Sequence, residues 1–194
     1  MFIGETAVVP TASMEGTILV GDHILLDKFL YGPSVPFTSW HWATGRAVQR
    51  GSIIAFQFPL NPKLNFLKRV AAVGGDTVEI RDDVLFVNHA AVAEPYAVHR
   101  RRGKQRAQNM MARAIPAGEV FVLGDNRDAS DDSRYWGNVP LANVIGEPLL
   151  VYWSYDAPSS AWLEDNPLRQ LRVYSSAMLN LFTHTRWART GVIL

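Results

Sequence analysis

The feature that most constrains the fold is a succession of short apolar runs separated by turn residues. Seven runs are rich in β-forming residues and have the length of strands. The predicted strands are Asp22–Phe29, Ser52–Phe58, Asn65–Val73, Thr77–Ile80, Val84–Val87, Glu119–Leu123 and Leu149–Tyr155. Turn residues at short spacings, such as Gly74-Gly75-Asp76 and Arg81-Asp82-Asp83, favour antiparallel pairing over βαβ units. We therefore predict a mainly β fold built from antiparallel sheets.

Composition limits the architecture and the classes of function. The chain has 194 residues, of which 48% are hydrophobic and 19% charged, so it suits one large domain or a core with a small annex. The net charge of +1 argues against binding of nucleic acid through overall charge. The absence of cysteine excludes disulfides and thiolate metal sites. No apolar run reaches the roughly 18–20 residues of a membrane span, and no signal segment opens the chain.

The pattern changes in the middle of the chain. Between Asn88 and Pro116 the sequence shows no steady period, and residues 83–117 are predicted to form a small insert, a ribbon with a mobile basic tip at Arg100–Lys104. Residues 1–82 and 118–194 are predicted to form the β core. A short C-terminal amphipathic helix is predicted from apolar residues at near-helical spacing. These residues are Tyr174, Met178, Leu181, Phe182 and Thr185.

A polar segment, residues 124–137 with the sequence GDNRDASDDSRYWG, directly follows the predicted strand Glu119–Leu123. It contains four aspartates, two arginines, two serines and an asparagine. Acids and bases in this order can pair with one another and hold a serine in a defined place. Taken alone, the segment also fits an ordered surface loop or a cation site.

The five histidines are scattered, without the short spacing that a metal site prefers, and none favours a Ser-His-Asp triad. A serine nucleophile then needs another base, and Lys68 is the candidate. As part of a strand, Lys68 shares a face with Phe66 and Val70, whereas Arg69 points to the other face. Burial there lowers a lysine pKa from about 10.4 towards roughly 7–8. The alternative is an edge lysine that lays its stem along the sheet.

Ser13 is the candidate nucleophile. It follows the turn Pro10-Thr11-Ala12, where a sharp bend can expose its hydroxyl, and the Thr11 hydroxyl can approach the same point. The alternative is that these hydroxyls cap the turn that follows.

Together these segments resemble the type I signal peptidases, membrane-bound Ser/Lys endopeptidases that remove signal peptides from exported proteins. The resemblance lies in Pro10–Thr17 with Val20–Asp22, in Arg50-Gly51 and Phe66–Val70 with Gly75-Asp76, and in the polar segment, which occur in the family's order. It implies a signal-peptidase-like β core.

The resemblance also implies roles for individual residues. Ser13 is the nucleophile and Lys68 the general base; the Thr11 hydroxyl and the Ser13 N–H form the oxyanion hole. Ser130 orients Lys68 through a hydrogen bond. Two structural ion pairs are implied, Asp125 with Arg69 and Asp132 with Arg134. Shallow apolar pockets for small side chains are implied as well, with no metal or cofactor. The pocket residues are Val9, Pro10, Met14, Ile18, Phe66 and Leu67.

Two residues depart from the family pattern: Gly16 replaces a common proline and Ala12 a frequent glycine. Family members also carry one or more membrane spans before the nucleophile. We therefore expect this chain to be a soluble, shortened form of a protein anchored in the bacterial cytoplasmic membrane, with Met1 an added initiator. Its catalytic domain is then expected on the outer face.

The expected partners are the signal peptides of preproteins and the membrane lipid surface, with no nucleic acid. Trp40 and Trp42, near Phe37, are candidates for contact with lipid, although a half-buried hairpin explains them equally well.

Two other functions fit parts of the sequence. One is a Ser/Lys self-cleaving repressor-like peptidase, although no room for a DNA-binding domain precedes Ser13. The other is a non-catalytic β domain that binds peptides, or nucleic acid through the basic run Arg100–Arg106.

Overall fold

The computed structural model describes residues 4–28, 46–100, 108–163 and 167–194. The strands are β1 (Gly4–Val8), β2 (Asp22–Asp27), β3 (Ile53–Gln57), β4 (Asn65–Val73), β5 (Thr77–Arg81), β6 (Val84–Val87), β7 (Ala90–Ala91), β8 (Met110–Ala114), β9 (Glu119–Leu123), β10 (Val139–Pro140), β11 (Val144–Ser154) and β12 (Val192–Ile193). The helices are α1 (Ser133–Trp136), α2 (Ser159–Trp162), α3 (Pro167–Leu179) and α4 (Leu181–His184), with 3-10 turns at Ala12–Met14, Arg127–Ala129, Leu141–Asn143 and Trp187–Arg189. The predicted mainly β, antiparallel fold is confirmed.

The large sheet brings the predicted site residues to one region. In the described part of the chain it has eight strands in the order β1-β2-β11-β3-β4-β9-β10, with β12 paired to β11. Strands β4 and β9 pair antiparallel, with Arg69 opposite Leu123. Lys68 therefore lies where β9 has ended and the polar segment begins. The register alone places that segment beside Lys68.

The small sheet has the order β7-β6-β5-β8 within the described residues. Asp82 and Asp83 have φ angles of 49° and 69°, as expected of the two central residues of a tight hairpin turn. The predicted insert boundary at residue 83 needs correction, because β5 pairs with both β6 and β8. The small sheet begins at Thr77, since backbone hydrogen bonds hold a hairpin together as one unit.

The two sheets share a core. Ala72 and Phe121 of the large sheet pack in one buried cluster with Val78 and Leu85 of the small sheet. A second cluster lies directly beneath Ser13 and contains Met14. Complete burial of such side chains stabilises the fold by about 1.5–3 kcal/mol each. The small sheet is therefore packed firmly against the strands that carry Lys68 and the polar segment.

The strand predictions differ from the structure at the start of β11, an inner strand of the large sheet, and at the shortest strands. Strand β11 begins at Val144, five residues before the predicted Leu149, and its pairing with β2 shifts between Pro148 and Leu150. Proline has no N–H for a sheet hydrogen bond, so the β-bulge at this shift accommodates it. The two-residue strands β7, β10 and β12 are too short for a period-2 pattern.

The C-terminal helix also differs from its prediction. Helix α3 ends at Leu179 and α4 begins at Leu181, so the predicted apolar stripe spans two helices. Met178 and Phe182 are 79% and 83% exposed rather than packed on the core.

Two further predictions, for Trp40 with Trp42 and for most of the basic tip, fall outside the described residues.

Candidate active site

Ser13 and Lys68 meet in the folded chain. Ser13 lies in the 3-10 turn that follows β1, and Lys68 is the fourth residue of β4. Lys68 Nζ donates a hydrogen bond of 2.7 Å to Ser13 Oγ and a second of 3.2 Å to the Leu67 carbonyl. Both side chains are buried. A hydroxyl held this close to an amine can transfer its proton directly.

The environment of Lys68 favours its neutral form. Burial lowers the Lys68 pKa from 10.5 to about 8, and the carboxylates of Asp132 and Asp131 oppose that shift only in part. The ammonium loses hydration that these more distant carboxylates do not replace. In mildly alkaline solution Lys68 is therefore unprotonated in a sizeable fraction of the molecules, as a general base requires.

Arg69 forms a bidentate ion pair with the buried carboxylate of Asp125. Arg69 donates from Nε to Asp125 Oδ1 at 2.8 Å and from Nη2 to Oδ2 at 2.7 Å. The Thr17 hydroxyl donates to the same carboxylate at 2.6 Å, and Arg69 Nη1 donates to the Gly51 carbonyl at 2.8 Å. Bidentate geometry fixes both groups in one orientation. It ties the start of the polar segment to β4, one residue from Lys68.

Asp132 and Arg134 form the second pair that the resemblance implied. Arg134 donates from Nε and Nη2 to the two Asp132 oxygens at 2.7 and 2.8 Å. Asp132 also accepts from the Gly124 N–H at 3.0 Å and caps helix α1. One carboxylate thus joins the beginning of the polar segment to its end, and this closes the segment into a loop.

Ser130 is buried in this loop, but it makes no hydrogen bond to Lys68. Its Oγ is buried without a hydrogen-bond partner, and Lys68 Nζ donates to Ser13 and Leu67 instead. Ser130 packs on Gly124, where an added Cβ atom would lie 2.2 Å from Ser130 Oγ and 2.5 Å from the Ser13 carbonyl oxygen. Only glycine fits at position 124, because two site residues approach its backbone so closely.

A cleft of about 480 Å³ opens onto Ser13 and Lys68. Among the predicted pocket residues, Val9, Pro10, Phe66 and Leu67 line it, as does Thr11. Thr11 precedes the 3-10 turn in an extended conformation, and its side chain makes no capping hydrogen bond. Its hydroxyl is therefore not used by the turn.

Met14 and Ile18 need correction as pocket residues. They are 1% and 0% exposed and belong to the core cluster beneath the cleft. The turn after Ser13 directs both side chains inward, so they support the floor of the cleft without lining it.

In the described part of the chain, no group of three His, Asp or Glu side chains converges to hold a metal ion. His23 is buried among aromatic rings, with the rings of Trp153 and Trp162 centred 4.6 and 5.2 Å away. Burial lowers the His23 pKa despite the neighbouring Asp22 carboxylate.

Across the same described ranges, no helix is both long and apolar enough to span a membrane.

The sequence reasoning missed two polar clusters. Asp22, fully buried, accepts from Ser154 Oγ at 2.6 Å and from Arg189 Nε at 3.0 Å. Glu94 forms a buried bidentate pair with Arg127 of the polar segment. The partners stand 33 to 167 residues apart in the sequence, so no local spacing could have revealed them.

Comparison with known families agrees with this geometry. The family described as "Signal peptidase, peptidase S26" matches residues 1–153, a span that contains Ser13, Lys68 and the whole polar segment. This chain belongs to the signal peptidase family, peptidase S26. The match ends in β11, so the helices and last strand of the C-terminal part lie beyond it.

Individual signal peptidases are similar over most of the chain. Signal peptidase I of Aquifex aeolicus is 31% identical across 92% of this chain and 87% of its own length. Signal peptidase I of Pseudomonas fluorescens is 32% identical across 84% of this chain and 69% of its own length. A solved structure of a signal peptidase I from Enterococcus faecalis is 36% identical, covers 53% of this chain and 97% of its own, and superposes with a TM-score of 0.46.

Gly16, which departs from the signal peptidase pattern, has a structural reason in this member. Its φ angle is +125°, a conformation that proline cannot adopt. An added Cβ atom there would lie 2.9 Å from Val98 Cγ2 and 3.0 Å from the Tyr96 carbonyl oxygen. The glycine lets the chain between β7 and β8 pack directly on the turn that carries Ser13.

Proposed function

We propose that this chain is the catalytic part of a signal peptidase I, an endopeptidase that removes N-terminal signal peptides from exported preproteins after Ala-x-Ala sites. The observation that carries the proposal is the buried 2.7 Å hydrogen bond between Lys68 Nζ and Ser13 Oγ at the bottom of an open apolar cleft. The family match supports the same activity.

Acyl transfer proceeds through the serine hydroxyl. Neutral Lys68 accepts the Ser13 proton while Oγ attacks the scissile carbonyl carbon and forms a tetrahedral oxyanion. Collapse breaks the C–N bond, and the Lys68 ammonium returns its proton to the leaving amine. A water molecule, deprotonated by Lys68, then attacks the acyl ester. The ester C–O bond breaks, Lys68 returns the proton to Ser13 Oγ, and the signal peptide leaves with a free carboxylate.

The oxyanion needs hydrogen-bond donors at the mouth of the cleft. The Ser13 backbone N–H and the Thr11 hydroxyl are proposed for this role, and the support for Thr11 is that its hydroxyl lies at the cleft without capping the turn. A single donor of this kind contributes about 3–4 kcal/mol to catalysis. Ser130 is proposed to orient Lys68 by forming a hydrogen bond to it during catalysis, because its buried Oγ makes no hydrogen bond in the described structure.

The cleft fits an extended peptide with small apolar side chains. Residues 65–68 of β4 pair with β3 but not with β9, whose pairing begins at Arg69, so their other edge is free of strand partners in the described residues. Strand addition along this edge carries the scissile bond past Lys68 to Ser13. Val9, Phe66 and Leu67 then contact the substrate side chains that point into the cleft.

The lipid surface of the membrane is the second proposed partner. The C-terminal part exposes large apolar side chains, including Met178 at 79%, Leu179 at 87% and Phe182 at 83%. Residues 167–194 contain four arginines and no acidic residue, which suits an anionic lipid surface, although two of the arginines, Arg186 and Arg189, also contact Asp22. Membrane anchorage upstream of residue 1 and a position on the outer face remain part of this proposal.

Cleavage of an Ala-x-Ala peptide or a preprotein in detergent tests the proposed activity. We expect cleavage by the unaltered chain and none by Ser13→Ala or Lys68→Ala, whereas Lys63→Ala, at an exposed lysine outside the site, keeps full activity. Cleavage that persists in Ser13→Ala refutes the mechanism. Binding of the peptide without cleavage favours the non-catalytic domain, and cleavage of the chain itself favours the self-cleaving class.

Sedimentation with anionic liposomes tests the membrane partner. Met178→Ser with Phe182→Ser, and separately Trp40→Ala with Trp42→Ala, are compared with the unaltered chain. Binding that is unchanged in both double variants rejects the lipid surface as a partner of these residues.

A further inference from the structure

We propose that residues 94–98, between β7 and β8, form a clamp that holds the polar segment against the Ser13–Lys68 pair, with Glu94 and Tyr96 as its positioning residues. The proposal rests on the proposed peptidase activity and assigns a role in it to the chain that leads out of the small sheet. Neither residue touches Ser13 or Lys68 through a hydrogen bond. Both act through the polar segment.

The backbone of the clamp joins the polar segment directly. Val98 forms a parallel β-bridge with Asn126. The Val98 N–H donates to the Asp125 carbonyl at 2.7 Å, and the Arg127 N–H donates to the Val98 carbonyl at 3.0 Å. These bonds fix the backbone from Asp125, which pairs with Arg69, to Arg127, three residues before Ser130.

Glu94 anchors the clamp through a buried charge. It accepts two hydrogen bonds from Arg127, one of them 2.8 Å long, and the side chains of Glu94 and Arg127 are only 8% and 4% exposed. Arg127 Nε also donates to the Gly124 carbonyl at 3.1 Å. Glu94 therefore supplies a counter-charge to a buried guanidinium, and that guanidinium holds the backbone of Gly124.

Tyr96 couples the clamp to the other ion pair of the site. The Arg69 guanidinium carbon lies 3.9 Å from the centre of the Tyr96 ring, a stacking geometry. The Tyr96 hydroxyl donates to Glu94 at 3.2 Å. Burial and the Glu94 carboxylate raise the Tyr96 pKa to about 12, so the phenol keeps its proton and remains a donor. One residue thus contacts both Arg69 and Glu94.

The polar segment passes this restraint to the nucleophile. The Asn126 N–H donates to the Ser13 carbonyl at 3.1 Å, and its side-chain amide donates to the Ala12 carbonyl at 3.1 Å. Val98 and Tyr96 also pack against Gly16. A shift of the clamp therefore moves the turn of Ser13 and the loop that borders Lys68 relative to one another.

Kinetics of Glu94→Gln test the clamp. The variant keeps the size of the side chain and removes its charge. We expect kcat to fall by up to about 100-fold, the loss typical of a misplacement near 1 Å, with KM changed less than about threefold. Tyr96→Phe keeps the ring on Arg69 and should lose much less than Tyr96→Leu. The matched control is Glu79→Gln, which removes the carboxylate of a more exposed ion pair in the small sheet.

The pH profile separates positioning from simple loss of stability. The carboxylates of Asp132, Asp131 and Asp125 face Lys68 and raise its pKa, and Arg134 opposes them. If Glu94→Gln lets the polar segment move, the acidic limb of kcat/KM shifts, because both the burial of Lys68 and its distance from these carboxylates change. Partial unfolding instead lowers activity at every pH without moving the limb. A folded Glu94→Gln protein with unaltered kcat and an unmoved limb overturns the proposal.

Hydrogen exchange tests the clamp independently of the proposed peptidase activity. The Arg127 amide, bonded to the Val98 carbonyl, should exchange faster in Glu94→Gln than in the unaltered chain, while amides of β3 stay unchanged. If the unaltered chain cleaves no peptide, the proposed function fails, and the exchange result still decides whether the clamp holds the polar segment. Equal exchange at Arg127 overturns the clamp.

Discussion

After substitution of Lys68 by methionine, the unfolding free energy relative to wild type should be larger at neutral pH than at high pH. The substitution keeps the length of the side chain and removes a buried group that can be charged. Because the Lys68 pKa is about 8 in the folded protein and 10.5 without burial, folding opposes the ammonium. Lys68 therefore lowers the unfolding free energy of the wild type below pH 8, and this loss disappears as the pH rises from about 8 to 10.5. Methionine has no such dependence.

The size of the effect follows from the two pKa values. Linkage gives a cost for the buried lysine of about 3 kcal/mol at pH 7 and about 1 kcal/mol at pH 10. The difference in unfolding free energy between Lys68→Met and wild type should therefore shift by about 2 kcal/mol between these two pH values. Loss of the hydrogen bonds to Ser13 and Leu67 subtracts about 1 kcal/mol each from the variant and changes little with pH.

Urea unfolding followed by tryptophan fluorescence at pH 7, 8, 9 and 10 measures this difference. Lys63→Met, at an exposed lysine five residues away, shows how much of the change comes from removing any lysine. The claim that burial sets the Lys68 pKa is refuted if the difference in unfolding free energy between Lys68→Met and wild type stays constant across this range. It is also refuted if that difference moves in favour of the variant towards pH 10.

Three further predictions concern the site and its support. First, kcat/KM for an Ala-x-Ala peptide should fall about tenfold per pH unit below about pH 8, because Lys68 must be neutral; a plateau down to pH 6 contradicts this. Second, Gly124→Ala should abolish most cleavage and lower stability by about 1–3 kcal/mol, since its Cβ atom overlaps Ser130; wild-type cleavage and an unchanged melting temperature would argue against the close packing. Third, Asp22→Asn should cost about 3–5 kcal/mol in urea unfolding, because it leaves the arginine of the last 3-10 turn without its buried partner. Asp156→Asn, at a carboxylate that is 73% exposed, is the control and should cost less than about 1 kcal/mol.

Local patterns were sufficient to predict several strands at the centre of the fold. The bounds of β4, β6 and β9 agree with the predicted runs, because each is long enough to show a β-forming composition and ends at turn residues. The edge strands and the helical break at Asn180 were not predictable in this way. Their positions depend on partners from distant parts of the chain.

The pocket residues show a similar limit. Val9 and Phe66 were expected at the cleft and lie there, whereas Met14 and Ile18 were expected there and lie in the core. All four are apolar residues within five positions of Ser13 or Lys68. Side-chain direction after a 3-10 turn is set by the tertiary packing around it, so composition alone could not separate the two groups.

The sequence by itself determined the fold class and brought forward Ser13, Lys68 and the polar segment, because residue type and order carry that information. The tertiary structure decided the burial, pKa and hydrogen-bond partners of those residues. It placed Lys68 beside the end of β9, buried it so that its pKa falls to about 8, and set its Nζ 2.7 Å from Ser13 Oγ. It also paired Glu94 with Arg127 across 33 residues of sequence. Burial and long-range pairing are properties of the packed chain, since both depend on which distant segments exclude water from a given atom.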